Sequence, residues 1–335
     1  MERSLKRVSG SEERKGKAMK LLVTGGAGFI GSNFVPYILE KYPDYEVVNL
    51  DALTYAGSLE NLKEVKINRR HKFVQGRIED GKLVDRQMKG IDVVINFAAE
   101  SHVDRSILEP QVFISTNVLG TQVLLDAALR HKIKLFYQIS TDEVYGALKL
   151  GTKKRFTEGS PLRPNSPYSA SKTSADLLVR AYYHTYGLPV VISRCSNNYG
   201  PKQHPEKFIP TVILNALRDR PVPIYGDGLY VRDWIHVLDH CRAIDLIMHQ
   251  GKPDGVYNVG ADNEWANIDL ARKILKILGK PDSLLTSVKD RPGHDRRYAI
   301  DSAKLRRELG WKPLIPFDKG LIDTVRCYTE AGKCP

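Results

Sequence analysis

A glycine-rich turn directly after the first apolar segment constrains the fold of this chain more than any other stretch. The segment Lys20–Thr24 is short and apolar, which predicts a buried strand. Gly25, Gly28 and Gly31 follow at three-residue spacing and lead into a predicted helix over Phe29–Lys41. Glycines in such a strand–turn–helix unit let the backbone approach a pyrophosphate, which the helix N-terminus attracts. An ordinary strand–helix loop also accepts glycine, so the turn alone leaves both interpretations open.

An acidic residue at the end of the next predicted strand narrows the choice. The strand over residues 46–50 is followed by Asp51, 20 residues beyond Gly31. An acid at that position hydrogen-bonds the hydroxyls of an adenosine ribose and disfavours a 2′-phosphate. Together the turn and the acid predict a dinucleotide site and favour NAD over NADP as cofactor.

Further strands and helices alternate along the first 194 residues. Strands are predicted over His71–Gln75 and 92–97, and helices over segments such as 111–130. This alternation implies an α/β protein with a Rossmann-type, doubly wound parallel sheet and right-handed crossovers. Later segments are shorter and richer in turns, which predicts a smaller C-terminal α/β substrate lobe. We expect residues 19–194 mainly to bind the dinucleotide and 195–335 mainly to bind the substrate, with interwoven lobes because no linker separates them.

Composition excludes nucleic acid as an expected partner. With 335 residues, 42% hydrophobic and 27% charged, the chain has the composition of a soluble globular protein. The net charge is +12, but the basic residues are not concentrated in one folded stretch. Many lie near the N-terminus, where residues 1–18 are predicted to be a disordered extension or one added to the natural chain. The sequence contains no basic–aromatic module of the kind that binds DNA or RNA.

Neither a membrane location nor a metal site is expected. No apolar run approaches 18 residues, and the N-terminus lacks the apolar centre of a signal peptide. The four cysteines, at positions 195, 241, 327 and 334, have no metal-ligand spacing. They are predicted to be reduced thiols in a cytoplasmic protein.

A second cluster of reactive side chains follows the apolar segment 135–139. Thr141, Asp142 and Glu143 come directly after it, where a parallel strand would end in a ligand crevice. Successive side chains of an extended strand point to opposite faces, so both acids reach one ligand only if the strand ends by about Thr141. An acid role for Asp142 also requires a raised pKa, which burial beside the like-charged Glu143 would provide.

Tyr168 and Lys172 complete this cluster. They are four residues apart, behind a proline that suits the first turn of a helix over Pro167–Tyr186, so both face the same side of that helix. For Tyr168 to act as a base near neutral pH, its pKa must fall by about 3 units, or about 4 kcal/mol. One cation about 4 Å away supplies that much, and Lys172 and an oxidised nicotinamide ring are expected to contribute. An incidental pair on an amphipathic helix is the alternative.

Taken together, these segments resemble the extended short-chain dehydrogenase/reductase family. The matching segments are 24–31, Asp51 with 53–57, 98–107, 140–146, Tyr168 with Lys172, 197–201, 231–235 and 291–298. Within the family they are most similar to nucleotide-sugar 4,6-dehydratases, in particular those that act on dTDP-glucose. The triplet 141–143 is the discriminating segment, since related 4-epimerases lack its pair of acids. The similarity covers nearly everything from about residue 19 to residue 328.

The resemblance implies a dehydration that begins with an oxidation. Tyr168 would take the proton of the sugar's C4 hydroxyl, which Thr141 helps to hold, while hydride passes from C4 to NAD. Glu143 would remove the C5 proton that the 4-keto group acidifies, and protonated Asp142 would assist departure of the C6 hydroxyl as water. Return of hydride to C6 and of a proton from Glu143 to C5 would give a 4-keto-6-deoxy sugar and regenerate NAD.

The resemblance also implies binding residues and a homodimer. The residues expected to bind NAD are Gly25, Gly28, Phe29, Ile30, Gly31, Asp51, Thr54, Ala98, Thr116, Tyr168, Lys172 and Asn198. Those expected to bind the nucleotide-diphosphate hexose are Ser101, Thr141, Asn197, Glu206, Lys207, Arg232, Asn267, Arg291 and His294. The homodimer is expected to form through the helices 111–130 and 167–186.

One position departs from the family, and several readings of the substrate stay open. Arg77 stands where the family usually has an aspartate that contacts adenine. An arginine cannot accept the adenine amino hydrogens, although it can stack on the ring, so that contact is in doubt. The nucleotide base and the sugar are also open, because pocket shape decides them. The alternatives are a dehydratase of a UDP-, CDP- or GDP-hexose, a nucleotide-sugar 4-epimerase and a non-enzymatic NAD-sensing protein.

Overall fold

Twelve strands form within residues 18–330, the part of the chain that this computed structural model describes. The predicted N-terminal extension lies outside the described residues up to position 17. The strands are β1 (Lys20–Thr24), β2 (Glu46–Asp51), β3 (His71–Gln75), β4 (Val93–Asn96), β5 (Leu135–Thr141), β6 (Val190–Cys195), β7 (Asn197–Tyr199), β8 (Val222–Tyr225), β9 (Val231–His236), β10 (Gly255–Val259), β11 (Glu264–Ala266) and β12 (Leu285–Val288).

Seven of these strands build the central sheet. Their order is β10-β6-β5-β4-β1-β2-β3, and every neighbouring pair is parallel. The predicted Rossmann-type, doubly wound parallel sheet is therefore confirmed. Strand order reverses between β1 and β4. In such sheets the ligand crevice opens at that reversal, beyond the carboxyl ends of the strands.

Helices cover both faces of the sheet, because successive strand residues point in opposite directions. Leu21 is buried against the helices Phe29–Lys41 and Val237–Gln250 on one face. Its neighbour Leu22 is buried on the other face, against the helix Pro167–Tyr186. The remaining α-helices are Gly81–Met88, Val103–Leu108, Phe208–Leu217, Asn267–Leu278, Ala303–Leu309 and Phe317–Thr329. Short 3-10 helices span Leu59–Val65, Asp142–Tyr145 and Asp282–Leu284.

A further helix, Pro110–Arg130, is continuous but not uniformly α-helical. Its middle segment, Ile114–Gly120, is π-helical, with α-helix on both sides. By length and composition this helix is apolar enough to cross a membrane, although polar residues interrupt its apolar sequence. Half of its apolar window is buried within the fold, and the core helices of soluble proteins pass the same test.

The second half of the chain adds two small sheets and one strand of the large one. Strands β7, β9 and β11 form a three-stranded sheet, and β8 pairs in parallel with β12. A separate apolar core lies beneath them. β10 comes from the same half but pairs with β6 at the edge of the large sheet. The predicted boundary at residues 194 and 195 stays a prediction.

The cysteines differ from the expectation of four reduced thiols. Cys195 and Cys241 are buried free thiols. Cys327 is disulfide-bonded, so the prediction is wrong at that position. Position 334 lies outside the described residues. Burial raises the pKa values of the two free thiols well above the ordinary thiol range.

Candidate active site

A cavity opens at the carboxyl edge of the sheet, where β1, β4, β5 and β6 end. It is lined by every residue predicted to bind NAD: Gly25, Gly28, Phe29, Ile30, Gly31, Asp51, Thr54, Ala98, Thr116, Tyr168, Lys172 and Asn198. The three residues at the end of β5, Thr141, Asp142 and Glu143, line the same cavity. The fold therefore brings the two clusters seen in the sequence to one place.

The glycine-rich turn packs directly against the chain that leaves β4. Gly25 has a φ of +71°, and a Cβ there would lie 2.6 Å from the backbone nitrogen of Ala98. A Cβ on Gly31 would lie 2.6 Å from the carbonyl oxygen of Gly25. Side chains at these two positions are excluded by backbone atoms, which have no room to move. The result is a bare backbone cradle at the N-terminus of the helix Phe29–Lys41.

Asp51 ties this turn to the end of β2. Its two carboxylate oxygens accept hydrogen bonds from the backbone N–H of Ala27 at 2.8 Å and of Leu53 at 2.7 Å. Burial raises the pKa of Asp51, and the two hydrogen bonds act in the opposite direction. The carboxylate is thus held at the cavity edge beside the cradle. This combination of exposed backbone and a fixed acid fits an adenine dinucleotide with a free 2′-hydroxyl.

The chain turns sharply where β5 ends, as the sequence predicts. β5 stops at Thr141, and Asp142–Tyr145 forms a 3-10 helix. The hydroxyl of Thr141 accepts a hydrogen bond from the backbone N–H of Glu143 at 3.2 Å, which caps that helix. The turn removes the alternation of an extended strand, so both neighbouring acids line one cavity. The predicted end of the strand by about Thr141 is confirmed.

The two acids differ in their surroundings. Asp142 is 2% exposed, and its Oδ2 has no hydrogen-bond partner among the described residues. Burial and then the charge of Glu143 raise the pKa of Asp142 well above its usual value, which confirms the expected direction. Burial also raises the pKa of Glu143, but Arg291, Arg232 and Lys207 oppose that rise. Asp142 is therefore suited to donate a proton, and Glu143 to accept one.

Tyr168 and Lys172 lie on the first turns of a well-capped helix. Ser166 and Ser169 form a reciprocal capping box ahead of Pro167–Tyr186. The Lys172 ammonium donates to the carbonyl of Ile139 in β5 at 2.7 Å, and burial lowers its pKa. Burial and Glu143 raise the pKa of Tyr168 well above 10. The depression expected from Lys172 together with an oxidised nicotinamide ring stays a prediction.

The exit from β6 continues into another strand. The later part of the sequence is rich in turns, but Asn197–Tyr199 forms a strand, β7, which pairs with β9. The side chain of Asn198 is held at both ends, by the carbonyl of Ser196 at 3.0 Å and by Nδ1 of His240 at 2.9 Å. This pairing joins the large sheet to the smaller lobe at the cavity rim.

The residues predicted to bind the nucleotide sugar divide into two groups. Ser101, Thr141, Asn197 and Lys207 line the cavity. The others lie outside its lining: Glu206, Arg232, Asn267, Arg291 and His294. Within the first group, the Lys207 ammonium donates a hydrogen bond to the carbonyl of Ser101 at 2.9 Å.

The residues outside the cavity lining are engaged with other protein side chains. Arg105 donates to Glu206 at 3.0 Å. The guanidinium of Arg232 lies 4.2 Å from the ring centroid of Tyr298. The ring of His294 stacks on Tyr230 with centroids 3.6 Å apart. Arg291 donates to Asp104 at 3.2 Å. The Oδ1 of Asn267 is buried and has no hydrogen-bond partner among the described residues.

Two residues beside the site escaped sequence reasoning. Asn117, in the π-helical segment, donates to the carbonyl of Glu100 at 3.0 Å and to the hydroxyl of Ser171 at 2.8 Å, which links the chain after β4 to the Tyr168 helix. Nothing in an apolar helical segment marks such a bridge. Asp104 lies in the segment 98–107 that the resemblance singled out, but its partner Arg291 is distant in sequence.

Arg77 lines the cavity at the end that follows β3. Its guanidinium lies 3.9 Å from a carboxylate oxygen of Glu79, which accepts a hydrogen bond from the hydroxyl of Thr116 at 2.9 Å.

His102 has the chemistry of a general base, but its Nδ1 caps the helix Val103–Leu108. Within residues 18–330 no group of three or more His, Cys, Asp and Glu side chains could hold a metal ion.

Comparison with known proteins groups this chain with nucleotide-sugar enzymes. The family profile described as GDP-mannose 4,6 dehydratase matches residues 22–324. The low-salt glycan biosynthesis protein Agl12 of Haloferax volcanii is 52% identical over 310 residues, covering 92% of this chain and 98% of that protein. The dTDP-glucose 4,6-dehydratase of Xanthomonas campestris pv. campestris is 52% identical over 327 residues, covering 92% of each. The crystal structure of DesIV, a dTDP-glucose 4,6-dehydratase of Streptomyces venezuelae with NAD and dTDP bound, is 50% identical with a TM-score of 0.91, covering 93% of this chain and 98% of that one.

Proposed function

Because this chain belongs to the GDP-mannose 4,6 dehydratase family, within the extended short-chain dehydrogenase/reductases, we propose that it is an NAD-dependent hydro-lyase. Its substrate is dTDP-glucose, and its product is dTDP-4-keto-6-deoxyglucose. The observation that carries the proposal is the pair Asp142 and Glu143, which shares one cavity with the glycine-rich turn and Tyr168. Relatives about half identical over most of the chain, and DesIV among the solved structures, support the choice of nucleotide.

The first step in this proposal is oxidation at C4 of the hexose. NAD, when bound, accepts hydride from C4 and later returns it to C6. Tyr168 takes the proton of the C4 hydroxyl, and the Thr141 hydroxyl beside it holds that oxygen in place. Lys172, fixed on the carbonyl of Ile139, supplies a positive charge next to the forming carbonyl. General acid–base groups of this type contribute roughly 10²–10⁴-fold each.

The second step is loss of water across C5 and C6. Glu143 takes the C5 proton, and the electron pair of that bond moves toward the 4-keto group. Asp142, whose pKa burial raises well above its usual value, gives its proton to the departing C6 hydroxyl. After hydride has reached C6, Glu143 returns a proton to C5. An oxidation alone needs no such pair of acids, which is why we place the chain among dehydratases rather than dehydrogenases.

We assign to NAD the same residues that the sequence predicts for it, all of which line the cavity. We assign to the sugar and its diphosphate the four cavity residues Ser101, Thr141, Asn197 and Lys207. The outer group, Glu206, Arg232, Asn267, Arg291 and His294, is assigned to the nucleoside and to the diphosphate oxygens that the cavity residues leave unbound. Its cations suit a diphosphate, which arginine binds through charge-assisted hydrogen bonds. In this scheme 19–194 mainly holds NAD, and 195–335 mainly holds the nucleotide sugar.

A substrate panel tests the proposal. The protein, supplied with NAD, is incubated separately with dTDP-, UDP-, CDP- and GDP-glucose and with GDP-mannose, and the products are identified by NMR. A 4-keto-6-deoxy sugar from dTDP-glucose alone is the expected result. The same product from another nucleotide would correct the base. A C4 epimer without loss of water would replace the dehydratase by a 4-epimerase, and NAD binding without turnover of any sugar would favour a sensing protein.

We also propose that the chain acts as a homodimer through Pro110–Arg130 and Pro167–Tyr186. Large apolar side chains are exposed on both helices, including Ile114 and Leu119 on the first and Leu177 on the second, each about half exposed. A second copy would cover them and give the apolar character of the first helix a reason other than a membrane.

Light scattering in solution tests the dimer. Wild type is expected to show twice the chain mass, and Leu119→Glu with Leu177→Glu is expected to show one chain mass, since two buried charges oppose pairing. Leu217→Glu, an exposed leucine on the helix Phe208–Leu217, is the matched control and should stay dimeric. A monomeric wild type would contradict the proposal.

We further propose a cytoplasmic location. The buried free thiols Cys195 and Cys241 support it, whereas the disulfide bond at Cys327 argues in the other direction. Fractionation of the native host, with detection of the untagged protein, would decide: recovery from the membrane or the secreted fraction contradicts the proposal.

A further inference from the structure

Asp104 connects the two sides of the cleft through a single carboxylate. It lies in the helix Val103–Leu108, which follows β4. Its Oδ1 accepts a hydrogen bond from Arg291 at 3.2 Å, and its Oδ2 accepts one from the hydroxyl of Tyr225 at 3.1 Å. Tyr225 ends β8, and Arg291 follows β12, so both donors belong to the smaller lobe. Each carboxylate oxygen thus has its own partner, and the side chain is fixed in orientation.

One edge of the Arg291 guanidinium is hydrogen-bonded to the protein, and a second edge has no partner among the described residues. Its Nη1 bonds Asp104, while its Nε is buried and has no hydrogen-bond partner among the described residues. A guanidinium carries five N–H donors in a rigid planar fork, so fixing one edge also fixes the direction of the others. A buried donor without an acceptor costs about 1–3 kcal/mol, which a ligand oxygen placed at Nε would recover.

Arg291 also acts on the proposed base. Of the charges around Glu143, Arg291 does most to lower the pKa of that carboxyl, followed by Arg232 and Lys207, and together they oppose the rise that burial causes. The remaining titratable groups whose charge couples to Glu143 act in the opposite sense or are phenols. They are Asp295, Asp142, Tyr168 and Tyr298.

We propose that Asp104, supported by Tyr225, is a positioning residue for the dehydration step. It holds Arg291 in place as a cation that opposes protonation of Glu143, the group that takes the C5 proton, and it turns the free edge of the guanidinium toward an anionic oxygen of the substrate. This inference rests on the proposed function. It adds that the base is prepared by a contact across the cleft, between a residue that follows β4 and a loop of the other lobe.

The sign of one pH shift tests the inference. In Asp104→Asn the amide keeps the shape and the bond to Tyr225 but loses the charge that holds Arg291. If Arg291 is released, Glu143 ionises only at higher pH. The acid limb, which is the range over which the dehydration rate rises with pH, then moves to higher pH. If Asp104 merely contributed a negative charge near Glu143, its removal would move that limb to lower pH. The two explanations therefore predict opposite directions.

Two reactions are followed across the pH range for each variant. Exchange of the C5 proton with deuterated solvent, read by NMR, reports Glu143, and the nicotinamide absorbance in a single turnover reports C4 oxidation. For Asp104→Asn we expect C5 exchange to fall roughly three- to tenfold on the acid side with little loss at the plateau, and KM to rise several-fold. The plateau rate of C4 oxidation should stay unchanged, since Tyr168, Thr141 and Lys172 are untouched. Asp104→Glu should restore most of the exchange.

Two further variants guard against a purely structural explanation. Tyr225→Phe removes one support of Asp104 and should move the acid limb in the same direction by a smaller amount, so it replaces Asp104→Asn if that variant fails to fold. Asp227→Asn is the matched control, because Asp227 holds Arg296 through two hydrogen bonds of 2.9 Å and 2.8 Å in the same lobe. Its acid limb should match wild type.

The outcomes separate this inference from the proposed function. An unchanged acid limb, or one moved to lower pH, in a protein whose wild type forms the 4-keto-6-deoxy product overturns the inference alone. A shift in Asp227→Asn as large as that in Asp104→Asn also overturns it. A wild type that forms no such product from any nucleotide hexose overturns both.

Discussion

The cofactor end and the sugar end of this cavity are built from different parts of the chain. At the cofactor end, positions are set by backbone: Gly25 lies against the backbone of Ala98, and Asp51 accepts two backbone hydrogen bonds. At the sugar end, positions are set by long side chains that hold one another, as Arg291 and Asp104 do. A backbone cradle leaves no alternative arrangement, whereas side-chain pairs can exchange a protein partner for a ligand. The first end is therefore preformed, and the second is adjustable.

This difference gives each end its own response to mutation. Changes at the cofactor end should act through shape and weaken NAD binding, because backbone atoms must shift. Changes at the sugar end should act through charge and alter affinity by degrees. The two acids at the end of β5 lie between the ends, and changes there should affect chemistry rather than binding.

The largest effect is expected at the proposed base. Glu143→Gln should reduce formation of the 4-keto-6-deoxy product by roughly 10²–10⁴-fold, because the amide cannot take the C5 proton. C4 oxidation should persist, since Tyr168 is untouched. Product NMR and C5 deuterium exchange measure the loss. As a contrast at the sugar end, Glu206→Gln should raise KM while retaining C5 exchange. A Glu143→Gln protein that still exchanges the C5 proton at the wild-type rate would remove Glu143 from its role.

The next effect is expected at the cofactor end. Gly25→Ala places a Cβ 2.6 Å from the backbone nitrogen of Ala98, so the turn must shift. Strain of this kind costs about 1–3 kcal/mol, and we expect NAD affinity to fall by at least about tenfold in calorimetric titration. Gly90→Ala is a matched control, since Gly90 has the same φ of +71° with nothing within 4 Å of the added Cβ. Equal losses of NAD affinity in the two variants would mean that the cradle is not what binds the cofactor.

A smaller effect is expected at the sugar end. Lys207→Met removes the ammonium that bonds the carbonyl of Ser101, and with it one of the three cations around Glu143. A hydrogen bond to a charged group contributes about 1.5–3 kcal/mol, so the Kd for dTDP should rise by about tenfold or more while the Kd for NAD stays constant. Lys252→Met, at a side chain that is 75% exposed, should change neither value. An equal weakening of NAD and dTDP binding in Lys207→Met would contradict the division of the cavity into two ends.

The smallest effect concerns the stability of the fold at the acid pair. Because the folded-state pKa of Asp142 is raised, the protein retains its full stability below the ordinary aspartate pKa and loses part of it as pH rises through the raised value. Asp142→Asn does not titrate, so its Tm should exceed that of wild type by about 2 °C at pH 8, and the difference should vanish toward pH 3. Scanning calorimetry across that range measures it. A Tm difference that is independent of pH would exclude ionisation of Asp142 as its cause.

The parts of the molecule that sequence could predict are those that local rules govern. The helix Pro167–Tyr186 was placed correctly because Pro167 suits its first turn and Gly187 ends it in the left-handed conformation. The turn after Thr141 followed from the need to bring two adjacent acids to one ligand. All predicted NAD residues line one cavity, because the carboxyl ends of parallel strands meet at one edge of the sheet.

The rest depended on contacts between residues far apart in sequence. Asn197–Tyr199 lies in a part of the sequence that is rich in turns, but its pairing with β9 makes it a strand, and no local signal indicates that partner. Burial, which sequence does not measure, raises the pKa of Tyr168, while the expected influence of Lys172 and an oxidised nicotinamide stays a prediction. Asp104 and Arg291 each look like an ordinary surface charge until the fold places them together.

The position of β10 has a consequence for how this protein is made. β6 ends at Cys195, but the strand that covers its outer edge begins only at Gly255. A ribosome adding about 5–20 residues per second needs several seconds to supply the missing segment. During that interval the nearly complete sheet presents an open, apolar edge, which is the feature that most readily pairs with other chains. A fragment truncated after β6 would keep that edge permanently. The half of the chain proposed to bind NAD should therefore aggregate when it is expressed without the rest of the protein.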